Sequence, residues 1–445
     1  MGLDTVYATE AQKAKRAAAM SDEAKSAAWA AFLGFFIDMF DVYLPLVALG
    51  PASAYFEPPS LSPIGSAILG AMVFIAALLG RPLGALIFGS YSDRLGRKRA
   101  AEIAVAGFGV MTLLIGLMPG YERWGMAAVV LVVVLRLLDG IFLGGEYTGA
   151  TPLAMEACPK KWRGLVGGWI MSGFPLAYLA ISFVTMVMLK IAPAGGLHSP
   201  YVQWGWRVPF FVGAALAFGW VAFVHLRVAE SQTWKEAQKT STPLRTLFSG
   251  QNLRDLLQVF VLMTGFWLVV DVVAAVTPGL LKTVVGLKPV EVTVALMIGN
   301  AVAAASYVGA GALSDRIGRR TFLVLWGAVI TLGGSATYYA LIGANGATLA
   351  SIYALVAAVY FCTIPIWGLA SSYINERFRT SVRSSGFGLG YTLAVVLPSF
   401  YAFYQKWLAA LMPHKYTAVP LLALGGIFVI VGALWGPETK DVDFD

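Results

Sequence analysis

Twelve apolar runs, each about as long as a membrane is thick, set the strongest limit on how this chain of 445 residues can fold. Roughly 20 apolar residues are needed for a helix to cross the hydrocarbon core, and a segment in lipid must satisfy its own backbone hydrogen bonds. With 58% hydrophobic and 13% charged residues, the sequence predicts an all-α membrane protein with twelve transmembrane helices. The runs lie at about 29–50, 63–88, 100–119, 125–150, 163–190, 208–226, 254–280, 290–313, 321–342, 347–371, 385–405 and 417–436.

The basic residues predict the orientation of these helices. With the N-terminus placed inside, 23 of the 32 Lys and Arg residues fall in inner segments and seven in outer loops. Because cytoplasmic loops are enriched in Lys and Arg, we expect a multi-pass protein of the inner membrane with both termini in the cytoplasm. The net charge of +8 is then an orientation signal, and no nucleic-acid partner is expected. Residues 1–28 lack the apolar core of a signal peptide, so the first run is expected to remain as a helix.

A ten-residue motif occurs twice, half the chain apart. Residues 89–98 read GSYSDRLGRK and residues 311–320 read GALSDRIGRR, an offset of 222 residues. Glu-x6-Arg pairs agree with this offset: one ends at Arg163 and the other at Arg383, 220 residues later. The chain is therefore predicted to contain two similar six-helix halves. Membrane repeats of this kind place a binding site near the midplane, between the halves.

The domain boundaries follow from the apolar runs and the polar stretches between them. The predicted halves are 29–226 and 254–436, joined by a cytoplasmic linker at 227–253. An N-terminal tail at 1–28 and a C-terminal tail at 437–445 complete the chain.

The repeated motif also predicts a local structure. Gly96 and Gly318 suit a tight turn, and the first Gly of each copy allows close helix approach. Asp93 and Asp315 can lie at the N-terminus of a neighbouring helix or accept hydrogen bonds from an Arg. The alternative, a merely basic cytoplasmic loop, does not explain two copies at half-chain spacing.

Few charged residues lie at membrane depth, where each costs roughly 2.5–3.5 kcal/mol on insertion scales. Asp38 and Asp41 share one face of the first helix, and two nearby carboxylates repel each other, so one of them should take up a proton readily. Either acid could instead cap a helix kink or pair statically with an Arg. No His lies deep in a predicted span, so a proton site is expected to be a carboxylate.

The fourth predicted helix carries Arg136, Asp139 and Glu146 on one face, because ten residues nearly complete three turns. Arg136 could bind a carboxylate bidentately, pair with an Asp of the first helix, or form a purely structural salt bridge. Asp271 on the seventh helix is expected to face the interior. Arg81 is expected near the inner end of the second helix, where it reaches the interface or takes part in a gate; direct contact with the substrate is the alternative.

Uncharged residues also qualify as cavity candidates. The alternative for the aromatic ones is an interface belt or helix packing. The two cysteines, Cys158 and Cys362, form no disulfide framework and suggest no metal site, and no cofactor is expected. The candidates are Tyr178, Trp267, Asn300, Tyr353, Trp367 and Tyr391.

These motifs resemble the Major Facilitator Superfamily, and the resemblance covers nearly the whole chain. More narrowly, RPLG at 81–84, GGEYTGA at 144–150, WGWRVPFF at 204–211 and RSSG at 383–386 resemble the metabolite:proton symporter family. Known members of that family carry citrate, α-ketoglutarate, shikimate or betaine-type osmolytes. The chain departs from the family pattern at two places. The first helix has Asp38-Met39-Phe40-Asp41 where a Glu-Trp-Tyr/Phe-Asp pattern is usual, and the fourth has Asp139-Gly140 where Gln-Gly is usual.

The resemblance implies a transporter rather than an enzyme, working by alternating access between two similar halves. It favours proton-coupled import of a small organic acid or related metabolite, with protons as the coupling ion and a monomer in the bilayer. A carboxylate is the expected substrate because of Arg136. A betaine or other zwitterion, a sugar, and proton-driven export remain alternatives, although GFPLAY at 173–178 matches the Gly-rich stretch of exporters poorly.

The same reasoning assigns roles to the buried residues. Proton coupling is assigned to Asp38, Asp41, Arg136, Asp139 and Glu146. Substrate binding is assigned to Asp38, Asp41, Arg136, Tyr178, Trp267, Asp271, Asn300, Tyr353, Trp367 and Tyr391.

Charged residues on the predicted inner side are expected to form a cytoplasmic gate. Salt bridges that form in one state and break in the other supply the state-dependent energy that alternating access needs. The residues are Asp93, Arg94, Arg97, Glu156, Arg163, Asp315, Arg316, Arg319, Glu376 and Arg383.

Overall fold

The computed structural model describes residues 20–61, 63–236 and 243–444, and twelve helices within these ranges are long and apolar enough to span a membrane. The prediction of an all-helical membrane protein with twelve spans is confirmed. In chain order the spans are α1 (Asp22–Val47), α2 (Met72–Leu95), α3 (Arg97–Leu117), α4 (Met126–Ala157), α5 (Lys160–Ile191), α6 (Tyr201–Arg227), α7 (Gly250–Thr283), α8 (Val290–Ile317), α9 (Arg319–Ile342), α10 (Leu349–Arg377), α11 (Thr380–Leu408) and α12 (His414–Trp435).

Several helices extend beyond the apolar runs that predicted them. α1 begins at Asp22 because the Ser21 hydroxyl caps it, accepting a hydrogen bond from the Ala24 N–H at 3.1 Å. The predicted N-terminal tail at 1–28 therefore includes the first turns of α1, and its residues 1–19 lie outside the described residues. The predicted linker holds two short helices, Gln232–Glu236 and Pro243–Leu247, and its residues 237–242 also lie outside the described residues.

The two six-helix halves meet along two matching pairs of helices. α2 of the first half packs against α11 of the second, and α5 packs against α8. The second and fifth helices of one half thus pair with the fifth and second helices of the other, as two related halves require. At the α5–α8 contact the backbones touch, since a Cβ at Gly164 or Gly311 would overlap the carbonyl oxygen of the other residue.

The turns of the two repeated motifs depend on glycine. Gly96, between α2 and α3, has φ of 122°, and Gly318, between α8 and α9, has φ of 95°. Side chains strongly disfavour this backbone region. The tight-turn role predicted for both residues is confirmed, and both turns lie at one end of the bundle, hereafter the motif end.

Four helices of the second half are interrupted by irregular segments; one is α9, with a π-helix at Ile330–Gly334. α7 becomes a π-helix at Asp271–Val276, α10 contains a 3-10 segment at Pro365–Leu369, and α11 contains one at Leu393–Val395. Irregular backbone at membrane depth is tolerated where protein or a cavity surrounds it. These interruptions therefore mark the centre of the second half as the place to look for a site.

Within the first half, α2 and α4 pack with their backbones in contact. Gly80 and Gly84 of α2 face Gly140 and Gly144 of α4, and a Cβ added at any of the four would overlap the partner helix. Small residues at such positions allow membrane helices to approach closely. The contact brings Arg81, next to Gly80, against α4.

Gly84→Ala is expected to lower the melting temperature of the purified protein. The added methyl group would overlap the Ile141 carbonyl, and overpacking costs about 1–3 kcal/mol. Thermal unfolding in detergent, followed by size-exclusion chromatography, measures the effect. Gly219→Ala in α6 is the matched control, because a Cβ there meets open space. Equal melting temperatures for the two variants would contradict the close packing.

Candidate functional site

Six charged side chains meet inside the first half, where α1, α2 and α4 come together. α1 contributes two acids, α2 one arginine, and α4 one arginine and two acids. Each residue is at most 1% exposed, so the group is closed to water. Its members are Asp38, Asp41, Arg81, Arg136, Asp139 and Glu146, hereafter the charge cluster.

Two arginines organise the charge cluster. Arg81 Nη2 lies 3.0 Å from Asp38 Oδ1. Arg136 Nη1 lies 3.0 Å from Asp41 Oδ2 and 2.7 Å from Asp139 Oδ2, so one nitrogen binds two carboxyl groups. The hydroxyl of Thr112 on α3 also donates to Asp41. Charge-assisted bonds of this kind are strong where water is excluded.

A narrow aromatic cavity lies between the two halves. Its room is about 10 Å³, enough for about one water molecule, so the halves are closed around it. None of the described residues that line it is charged. The lining residues are Phe35, Met39, Tyr43, Met171, Phe174, Trp267, Val270, Tyr307, Trp367 and Tyr391.

Three rings of the second half stand nearly perpendicular to one another in this cavity. The centroid of Trp267 lies 4.9 Å from that of Trp367 and 5.4 Å from that of Tyr391, and the last two lie 5.8 Å apart. Each ring comes from one of the irregular helices α7, α10 and α11. The helix interruptions thus lie next to the aromatic rings of the cavity.

Tyr147 connects the cavity to the charge cluster. Its ring packs against that of Tyr391 with centroids 4.6 Å apart, and the Arg81 guanidinium carbon lies 5.3 Å from the centre of the Tyr147 ring. Arg81 in turn binds Asp38. A ligand that moves Tyr391 would therefore move a direct neighbour of the charge cluster.

At the motif end, an aspartate of each half holds a helix N-terminus of the other. Asp93 accepts hydrogen bonds from the backbone N–H groups of Ser384 (3.1 Å) and Ser385 (3.0 Å), at the start of α11. Asp315 accepts from those of Gly164 (3.0 Å) and Leu165 (2.9 Å) in α5. A carboxylate is favourable at a helix N-terminus, and both contacts cross between the halves.

Glutamates and arginines add further bonds at the motif end. Glu156 accepts from Arg97 of its own half at 3.1 Å and from Arg383 of the other half at 2.8 Å. Glu376 accepts from Arg319 at 3.2 Å. Arg97 and Arg319 also bind the motif aspartates Asp93 and Asp315, at 2.6 and 2.7 Å. The two halves are thus tied together by charged groups at this end.

The C-terminal segment lies across this junction. Arg163 donates to the Val442 carbonyl at 2.7 Å, and the Lys160 amine lies 2.6 Å from Asp443. The ring of Phe444 lies 3.5 Å from the Arg163 guanidinium carbon and 3.9 Å from that of Arg383. One aromatic ring therefore contacts an arginine of each half.

Residues 31–402 match the Major Facilitator Superfamily. The chain belongs to the Major Facilitator Superfamily. Three of its relatives come from Escherichia coli (strain K12). The inner membrane metabolite transport protein YhjE is 26% identical over 92% of this chain and 93% of its own length. The shikimate transporter is 27% identical over 91% and 92%, and the proline/betaine transporter is 26% identical over 94% and 83%.

The fold agrees with a solved structure of this superfamily. The proton:xylose symporter XylE bound to 6-bromo-6-deoxy-D-glucose matches with a TM-score of 0.75 at 18% identity, over 95% of this chain and 99% of that one. The protein is therefore a multi-pass membrane transporter of the Major Facilitator Superfamily and not an enzyme. The predicted resemblance to metabolite, shikimate and betaine transporters is confirmed.

In this Major Facilitator fold, three of the predicted substrate residues line the cavity: Trp267, Trp367 and Tyr391. Tyr178 packs against the cavity residue Tyr43 with ring centroids 5.4 Å apart. Asp271 directly follows the lining residue Val270 and is 7% exposed. Asp38, Asp41 and Arg136, which were also expected to bind substrate, lie behind the cavity wall in the charge cluster.

Other predicted residues do not meet the cavity or the ion pairs. Asn300 donates to the Leu296 carbonyl of its own helix at 2.9 Å, so its amide is already bonded, and Tyr353 is half-buried on α10. Arg94 and Arg316 are exposed and take no part in the motif-end ion pairs described above. The expectation that Arg81 reaches the interface or the gate is wrong, because its side chain is fully buried against Asp38.

Sequence reasoning missed two glutamates that cap helices at the motif end. Glu230 accepts from the N–H groups at the start of α3, at 3.1 Å from Arg97 N, and Glu438 accepts from Arg319 N, at the start of α9, at 2.8 Å. Each precedes a hydroxyl residue that donates to a gate glutamate: Ser231 to Glu156 and Thr439 to Glu376. The repeat could have been found by comparing the residues after the sixth helix with those after the twelfth, because Glu230-Ser231 and Glu438-Thr439 both place a Glu before a hydroxyl residue.

The cavity residues that were missed are apolar or aromatic, and nothing in the sequence distinguishes them from packing residues. Phe35, Met39 and Tyr43 follow the i, i+4, i+8 spacing of one face of α1. That spacing shows a shared face, but it does not show which face meets the second half.

Proposed function

We propose that this protein is a proton-coupled symporter that imports a small organic acid or a related metabolite by alternating access. It would act in the inner membrane with both termini in the cytoplasm, as the excess of Lys and Arg in the inner segments favours. The observation that carries the proposal is the buried charge cluster, joined through Tyr147 to a narrow cavity between the halves.

The proton site proposed is the group of acids in the charge cluster, centred on Asp41 and Arg136. Protonation of Asp41 weakens its bond to Arg136, because the attraction between a carboxylate and a guanidinium is lost. The first half can therefore differ in structure between its protonated and deprotonated forms. Such a difference is what allows proton binding to shift the balance between conformations.

The substrate proposed is a small molecule with a carboxylate. Two donors of the cavity, the Trp367 indole N–H and the Tyr307 hydroxyl, have no hydrogen-bond partner within the part of the chain that the structure describes. They are available to a carboxylate, and the relative that transports shikimate supports this class. A proton carried with an anion also cancels its charge, which otherwise costs about 2.3 kcal/mol per 100 mV when it moves against the membrane potential.

A betaine is the second candidate substrate. The three nearly perpendicular rings of Trp267, Trp367 and Tyr391 resemble the aromatic surfaces that bind alkylammonium groups. The proline/betaine transporter among the relatives supports this class. A betaine also carries a carboxylate, so the same cavity donors would serve it.

The motif end is proposed as the cytoplasmic gate, closed in this conformation. Asp93, Asp315, Glu156 and Arg383 bond across the two halves there, and these bonds must break before the cavity opens to the cytoplasm.

Uptake by proteoliposomes with an acidic exterior tests the function. Shikimate, citrate, glycine betaine and xylose are screened, and we expect a carboxylate to accumulate until a protonophore collapses the pH gradient. Accumulation of glycine betaine alone would select the second candidate. Uptake that does not respond to the gradient would contradict symport. Protein-free liposomes are the control.

A further inference from the structure

The charge cluster contains more acids than bases. Four carboxyl groups, those of Asp38, Asp41, Asp139 and Glu146, share one buried space with two guanidinium groups, those of Arg81 and Arg136. Arginine stays charged inside proteins. If all four acids were ionised, the cluster would carry a net charge of minus two at a site where each side chain is at most 1% exposed.

The helices around the cluster supply no balancing charge among the described residues. The neighbouring groups are uncharged: the hydroxyl of Thr112 on α3 and the indole of Trp220 on α6. Four helices also contribute phenols, which are Tyr43 on α1, Tyr147 on α4, Tyr178 on α5 and Tyr391 on α11. Asp271 of α7 is a further buried acid and forms no ion pair with either arginine among the described residues. Since isolated charges are unfavourable in such surroundings, neutrality requires two protons on the four acids.

The geometry shows where these protons belong. Neither oxygen of Glu146 has a hydrogen-bond partner in the described structure, and its carboxyl group lies against the backbone of Gly34. An ionised carboxylate there would be buried with no cation or donor within hydrogen-bond distance among the described residues, so Glu146 is the acid of the cluster for which a proton is most favourable. Asp38 is the acid that forms an ion pair with Arg81. Asp41 and Asp139 both bind Arg136 Nη1, and one nitrogen cannot balance two carboxylates, so the second proton belongs to that pair.

We propose that the charge cluster holds two protons in this conformation, one on Glu146 and one shared by Asp41 and Asp139. Given the proposed symport, on which this step rests, two protons then accompany each substrate molecule. Glu146 is the second proton site, separate from the Asp41–Arg136 pair.

Infrared spectroscopy of the reconstituted protein, without substrate, tests the number of protons. Protonated carboxyl groups give a C=O band that shifts in D₂O, and ¹³C-labelled Glu or Asp assigns each band to one residue type. We expect one Glu band, lost in Glu146→Gln, and an Asp band that loses intensity in Asp139→Asn. The remaining Asp intensity belongs to the buried acid Asp271, which forms no ion pair among the described residues. The exposed acid Glu122 supplies the matched control, and Glu122→Gln should keep both bands. A wild-type spectrum without the Glu band overturns the proposal.

Accumulation at equilibrium tests the number of protons carried. With the membrane potential clamped at zero and a pH difference of one unit, two protons support about 100-fold accumulation and one proton about tenfold. The probe is the solute of the screen that the wild-type protein takes up. We expect about 100-fold for the wild-type protein and about tenfold for Glu146→Gln; tenfold for both overturns the inference while leaving symport intact. If no solute responds to the pH gradient, the proposed symport fails, and the infrared bands still decide whether two protons are bound.

Discussion

Arg136→Gln is expected to abolish accumulation driven by a pH gradient and to lower the melting temperature by several degrees. The substitution leaves Asp41 and Asp139 without the only cation that binds them in the described structure. Removing one partner of a buried ion pair typically costs about 3–5 kcal/mol, because the remaining charge stays buried and uncompensated. Uptake in proteoliposomes and thermal unfolding in detergent are measured on the same preparation.

A second substitution separates the stability effect from the transport effect. In Arg136→Gln combined with Asp41→Asn, one uncompensated acid is removed together with the arginine. We expect the melting temperature to recover while accumulation stays absent, because the proton-binding pair is gone. Full accumulation by Arg136→Gln alone would show that the charge cluster is not the coupling site.

Asp93→Asn is expected to open the motif end. Asp93 accepts from two backbone N–H groups of α11, from the Ser385 hydroxyl at 2.6 Å and from Arg97 at 2.6 Å. A neutral amide loses the ionic part of these bonds, and hydrogen bonds to charged groups contribute about 1.5–3 kcal/mol each. Loss of even one such contribution shifts the closed state relative to the open state by about tenfold or more.

Cys158 is a native reporter for this opening. It ends α4 at the motif end, is 3% exposed, and burial raises the pKa of its thiol to about 12. Little thiolate is therefore present at neutral pH while the end is closed, and maleimide reacts slowly. With Cys362 replaced by Ser, labelling of Cys158 by a membrane-impermeant maleimide should be about tenfold faster in Asp93→Asn than in the parent.

The control for Asp93→Asn is an acid that forms its ion pair within one half. Asp255 of α7 binds Arg377 of α10 at the same end of the bundle, and neither residue crosses to the first half. Asp255→Asn should leave the labelling rate of Cys158 unchanged. If Asp93→Asn labels no faster than this control, the inter-half bonds do not hold the motif end closed. Labelling from only one face of sealed vesicles also tests the proposed orientation of the termini.

The parts of the site that could be predicted from the sequence are the charged residues, because each one has a high free-energy cost inside an apolar run. A carboxylate or an arginine in an apolar run is expensive, so Asp38, Asp41, Arg136, Asp139 and Glu146 were recognisable one by one. Their partners were harder to predict, because pairing depends on how α1, α2 and α4 face one another. Arg81 is an example. Its position beside Pro82, near the end of an apolar run, predicts a place at the membrane interface. In the structure, the Gly contacts between α2 and α4 hold it against Asp38 instead.

Some of the predicted cavity residues line the cavity and others do not, because the sequence does not show which helix faces meet at the centre. Trp267, Trp367 and Tyr391 lie at or near helix interruptions and line the cavity, whereas Asn300 and Tyr353 lie in regular helical turns and are not among its lining residues. An Asn inside a helix can bond to its own backbone, so its polarity alone does not indicate a cavity.

The sequence by itself determined the twelve spans, the two halves and the turns at Gly96 and Gly318, because apolar length, internal repetition and backbone conformation are local properties. It also determined that few charges are buried. Only the tertiary structure decided that four of the acids share a buried space with two arginines, and that the described residues lining the cavity between the halves are uncharged. Both depend on which helix faces meet, and packing between segments that are distant in the sequence sets those faces.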